Sequence, residues 1–66
     1  MKFNDSETVK TLIDFPTEGI KKGEIGTVVM PFTIPHEAYE VEFLKDDGSG
    51  IPKAIFAILP EHLEKA

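Results

Sequence analysis

The sequence predicts an all-β domain: a small Src-homology-3-like barrel of four to five antiparallel strands with a short C-terminal helical turn. Three observations carry this. Turn-forming residues recur along the 66-residue chain (Pro16, Gly19, Gly23, Gly26, Pro31, Pro35, Gly48, Gly50, Pro52, Pro60), with short apolar runs between them. No stretch combines helix formers with a 3.6-residue apolar period over a helix's usual length. "EAYEVEFL", residues 37–44, alternates strictly, and alternate side chains of a strand lie on opposite faces.

The elements follow in order. "ETVKTLIDF" (7–15) offers Val9 and the Leu12–Ile13 pair to a first strand, which Pro16 and Gly19 close into the loop "PTEGIKKG". "EIGTVVMPF" (24–32) is the second strand, because the branched side chains of Thr27, Val28 and Val29 favour extended backbone. Pro31 and Pro35 confine its end to an edge or a turn. In the third strand Tyr39, Val41 and Phe43 face the core, and Glu40 and Glu42 face out. "KDDGSGIP" (45–52) holds Asp47–Gly48, a hairpin signal. "KAIFAILP" (53–60) lacks polar alternation and reads as a strand buried on both sides or lying at a subunit contact. Pro60 suits the first position of a helical turn, after which Leu63 caps the open end of the barrel. One domain, 1–66, accounts for the whole chain.

Charge narrows the function. Twelve acids oppose seven lysines, there is no arginine, and the net charge is −5. Arginine forks onto phosphate and guanine edges, and a polyanion repels an acidic protein at long range, so nucleic-acid binding is disfavoured. Lys21 and Lys22 are the only close basic pair. No apolar run reaches the roughly 18 residues of a membrane span, and "MKFNDSETVK" does not read as a signal peptide; the expected location is the cytoplasm. Without cysteine no disulfide braces the fold, whose expected stability is roughly 3–5 kcal/mol.

"KKGEIGTVVM" (21–30) places Gly23 and Gly26 as if in a phosphate cradle. The spacing fails: Gly19 is four residues from Gly23, no lysine follows Gly23, and a strand rather than a helix follows Gly26. These glycines, with Gly48, read as structural: Gly23 takes positive φ at the loop end, and Gly26 permits a bulge or close backbone packing. His36 and His62 each lie beside one glutamate, which gives no metal cage, and no cofactor is expected. Ser6 and Ser49 lack a His/Asp context, so no enzyme is expected.

"KKGEIGTVV" is similar to the Gly-Asp/Glu-apolar-Gly-x-Val signature of KOW-type and related Src-homology-3-like barrels. Together with "AYEVEFLKDDG" it resembles a family of small bacterial proteins of unknown function over roughly residues 7–63. The resemblance implies the barrel and leaves function open. The loops of KOW domains bind RNA or protein, and this chain departs from that use in its acidity and its lack of arginine.

The remaining candidates are surfaces. Glu37, Glu40 and Glu42, with Asp46 and Asp47 in the following turn, form an expected acidic face for a basic protein partner. The leading expectation is a non-catalytic interaction module of the immunity or antitoxin type. The other is a structural barrel that forms a homodimer through the apolar strand "AIFAIL".

Overall fold

The turn residues divide the chain into five strands, and the computed structural model, which describes residues 2–66, pairs them into one antiparallel sheet. The strands are β1 (Thr8–Thr11), β2 (Ile25–Phe32), β3 (Ala38–Leu44), β4 (Pro52–Ile58) and β5 (Leu63–Lys65), in the order β4-β3-β2-β1-β5. Single 3-10 turns span Pro16–Glu18 and Pro60–His62. Each carries proline at its start, where the missing N–H costs nothing.

The core is built from one face of this sheet. Val9, Val28, Tyr39, Val41, Phe43, Ile58 and Leu63 are buried on it, with Ile20 from the β1–β2 loop and Phe3 from the N-terminal segment. Tyr39, Val41 and Phe43 turn inward as their alternation requires, and Leu63 is fully buried. Leu63 opens a short strand that pairs with β1 (Thr11↔Leu63). Phe3 packs edge-on against Tyr39, with centroids 5.2 Å apart. Nothing in the polar run around Phe3 marks it as a core residue.

Gly26 sits where β3 leaves no room for a side chain on β2. A Cβ there would lie 2.6 Å from Val41 Cγ1, 2.9 Å from Phe43 Cε1 and 3.0 Å from the Glu42 carbonyl. The close-packing expectation holds, while the bulge of β2 falls later, between Val28 and Met30. Gly23 (φ 90°) ends the loop and Gly48 (φ 76°) bends the β3–β4 hairpin; both use the left-handed region that glycine enters freely. Pro31 lies inside a central strand, but β1 reaches only Thr27, so at Pro31 the strand has β3 alone as a neighbour. A missing donor is tolerated at such a local edge.

Three expectations need correction. The barrel is not closed: among the described residues no pairing joins β4 to β5. Five residue steps separate Ile58 from Leu63 and span at most about 18 Å. A flat five-strand sheet would hold its edges about 19 Å apart, so the sheet must curl. Pro60 and its 3-10 turn occupy the gap instead of a ladder. Phe15 fills it, with its ring 5.2 Å from Phe56 of β4 and 6.2 Å from His62 of the turn. Second, β4 is not buried on both sides. Ala54, Phe56 and Ile58 point inward and Phe56 stacks on Phe43, but Ile55 and Ala57 are exposed, because β4 is an edge and among the described residues β3 is its one strand neighbour. Third, β1 stops at Thr11, and Ile13 is exposed.

The buried Thr11 hydroxyl lies at that end of β1. It donates to the Lys21 carbonyl (2.9 Å) and accepts from the Glu24 amide (3.2 Å), tying the two ends of the loop together.

Candidate functional site

The outward face of the sheet carries the site. Register places Glu40 between Met30 and Ala57, and Glu42 between Thr27 and Ile55. Residues two apart on one strand project about 7 Å apart on the same side. Both glutamates are half-buried. Among the described residues neither carboxylate forms an ion pair or a hydrogen bond, although Lys10, Lys53 and Lys65 pair with Glu64, Glu24 and Glu7. Around them stand large exposed apolar side chains: Ile25 (53% exposed), Met30 (50%) and Ile55 (48%). The acidic row anticipated from the alternation is thus two carboxylates set in an apolar surface. The bulge between Val28 and Met30 brings Met30 opposite Glu40, and nothing in the local sequence marks that bulge.

The other three acids lie elsewhere. Glu37 precedes β3, and its carboxylate accepts from the Tyr39 hydroxyl and the Lys2 amide (2.9 Å). The Tyr39 oxygen in turn accepts from the amides of Lys2 (2.8 Å) and Phe3 (3.0 Å). The Tyr39 hydrogen bond, then that of Lys2, holds the Glu37 carboxyl below the usual range; burial, then the same bond, pushes the phenol up. This cluster fastens the N-terminal segment to β3. Asp47 accepts from the Ser49 amide within the exposed 45–51 loop, and Ser49 holds its carboxyl low.

Asp46 belongs to a shallow open hollow at the loop end of the sheet, lined also by Lys21, Lys22, Glu24, Leu44 and Lys53. Glu24 accepts from the Lys21 amide (2.7 Å) and from Lys53 Nζ (3.0 Å), while the Lys22 amide donates to Asp14 (2.7 Å). Carboxylates of the same chain therefore hold the amides of both lysines in the basic pair. The Lys21 amide is the largest cause that lowers the Glu24 carboxyl. Among the described residues no three His, Asp or Glu side chains converge closely enough for a metal.

These bonds fix a pH dependence. The carboxyls of Glu24 and Glu37 have folded pKa values below their ordinary 4.5. Their stabilisation is therefore present above about pH 4.5 and is lost as pH falls through the lowered folded values. The double variant Glu24→Gln/Glu37→Gln should melt below the parent protein at pH 7. The two melting temperatures should converge toward pH 3, as thermal unfolding followed by circular dichroism would report.

No curated protein and no solved structure matches the chain. The match to a family model covers residues 6–65, which include all five strands of the sheet, and the chain therefore belongs to the family described as Domain of unknown function (DUF4926).

Proposed function

We propose that the chain is a non-catalytic protein-interaction module that neutralises a basic partner through the outward face of β2, β3 and β4. The observation that carries the reading is the pair of carboxylates Glu40 and Glu42, without an ionic partner among the described residues and half-buried among Ile25, Met30 and Ile55. Exposed apolar area favours burial against a partner. A carboxylate whose surroundings lose water on docking interacts more strongly with a lysine or arginine brought to it. Complementary charge also speeds encounter and selects the partner.

The net charge of −5 on a chain of 66 residues supports an immunity- or antitoxin-type role, and the setting proposed for it is a bacterial cytoplasm. The strand order β4-β3-β2-β1-β5, with β5 returning to β1, supports reading the curled sheet as an open relative of the Src-homology-3-like and KOW-like barrels.

Affinity capture tests the proposal. A basic partner should bind at low salt and elute as the Debye length falls from about 10 Å at 0.1 M toward about 3 Å at 1 M. Glu40→Lys/Glu42→Lys should weaken binding by at least about tenfold per site. The control Asp5→Lys/Glu18→Lys makes the same charge change away from this face and should retain most of the affinity. Equal losses in the two double variants would mean that net charge alone, and not this face, makes the contact.

A further inference from the structure

We infer that the free edge of β4 pairs with the β4 edge of a second copy of this chain, continuing the sheet across a two-fold axis. This goes beyond the acidic-face reading and stands without it. The two edges of the sheet differ. The β5 edge is three residues long, and Glu64 and Lys65 are held in ion pairs with Lys10 and Glu7. A short, charged edge of this kind resists pairing with another chain. The β4 edge is seven residues long, and its only charge and its only proline are Lys53 and Pro52 at one end. The other five residues, Ala54-Ile55-Phe56-Ala57-Ile58, contain no charge, glycine or proline; Phe15 packs on the inward Phe56 ring, but among the described residues no strand pairs with the backbone of this edge.

The order of these five residues selects a second copy as the occupant. With the strands antiparallel and Phe56 on the axis, Ile55 lies opposite the partner's Ala57 on the outward face. On the inward face Ala54 lies opposite the partner's Ile58, and Phe56 meets the partner's Phe56. Every isoleucine faces an alanine, so large and small side chains alternate across the seam, and directly opposed pairs are the units that stabilise a sheet. This register also keeps Lys53 of one copy away from the partner's Lys53. Opposed residues share a face, so the Glu40–Glu42 pairs of both copies lie on the same side of the joined sheet. Three strand spacings, about 14 Å, separate them.

Sedimentation velocity on the full chain from about 10 μM to about 1 mM, the range suited to a small interface, tests this directly. A monomer–dimer equilibrium should appear. Added salt should leave it unchanged or tighten it, because the two copies carry like net charge; the acidic-face complex should respond in the opposite sense. Ile55→Lys should raise the dimer Kd at least tenfold, and Ala57→Lys should do the same. Both sites are exposed, and circular dichroism would verify that the variants fold.

The chain has no cysteine, so introduced thiols report the register. Directly opposed residues have Cα atoms about 4.5–5.5 Å apart, within disulfide reach, whereas diagonal neighbours do not. A mixture of Ile55→Cys and Ala57→Cys chains should cross-link to each other, and Ile55→Cys alone should not. A monomer throughout the concentration range, a dimer indifferent to both lysine variants, or preferential cross-linking of Ile55→Cys to itself would each overturn the inference.

Discussion

Replacing Gly26 by alanine should lower the melting temperature by about 4–24 °C, and replacement by valine should leave little folded protein at 37 °C. The alanine Cβ would stand 2.6 Å from Val41 Cγ1 and 2.9 Å from Phe43 Cε1, two buried side chains of the same inward row. It would also stand 3.0 Å from the Glu42 carbonyl, which is backbone and cannot rotate aside. Relief therefore requires β3 to move off β2 or two core side chains to leave their rotamers. Overpacking of this kind costs about 1–3 kcal/mol, and each kcal/mol shifts the melting temperature of so small a domain by about 4–8 °C. Valine adds two further carbons to the same clash, against a total stability of roughly 3–5 kcal/mol. Val41→Ala removes the atom in closest contact, so the double variant Gly26→Ala/Val41→Ala should lose less than the sum of the single losses. Thermal unfolding of the four proteins closes the cycle. An alanine variant as stable as the parent would show that the two strands are not held this close.

Tyr39→Phe should cost about 1–3 kcal/mol, although it removes a single oxygen. That oxygen accepts from the amides of Lys2 and Phe3 and donates to Glu37. The phenylalanine ring keeps the edge-on packing against Phe3, so the apolar term is nearly unchanged. What changes is that the buried Phe3 amide loses its acceptor, and an unpaired buried donor carries the full penalty of leaving water. Two local readouts separate this from general loosening. The Phe3 amide should exchange with solvent much faster than in the parent. The Glu37 carboxyl, freed from its hydroxyl donor, should titrate closer to its ordinary 4.5. An unchanged Glu37 titration would mean that the hydroxyl does not hold that carboxylate.

The sequence disclosed some elements and concealed others, for physical reasons. β3 was legible because strict alternation has one structural meaning, and Glu40 and Glu42 therefore face outward. The apolar surroundings of those glutamates were not legible. Ile25, Met30 and Ile55 come from two other strands, and only register, including the bulge at Val28/Met30, brings them to that face. β4 misled because two alanines blur its alternation, so an unprotected edge reads like a strand covered on both sides. Glu37 looked like part of the acidic row, and only the fold shows its carboxylate bound to Tyr39 and Lys2. Phe3 is not legible because a lone aromatic in a polar run has no period to betray it.

The pairing of β1 with β5 has a further consequence, for how the molecule acquires its structure. Val9 meets Lys65 and Thr11 meets Leu63, contacts that bridge more than 50 residues. The β2–β3 and β3–β4 hairpins close short loops and can form in about 1–10 μs each. The chain's two ends must instead find one another across nearly its whole length before Leu63 enters the core. Domains dominated by such remote partners fold in milliseconds to seconds. A folding intermediate is not required for this: β1–β5 docking is simply the contact with the greatest loop-closure cost. Leu63→Ala should then accelerate unfolding far more than it slows folding, which marks the C-terminal strand as the last part to arrive and the first to leave.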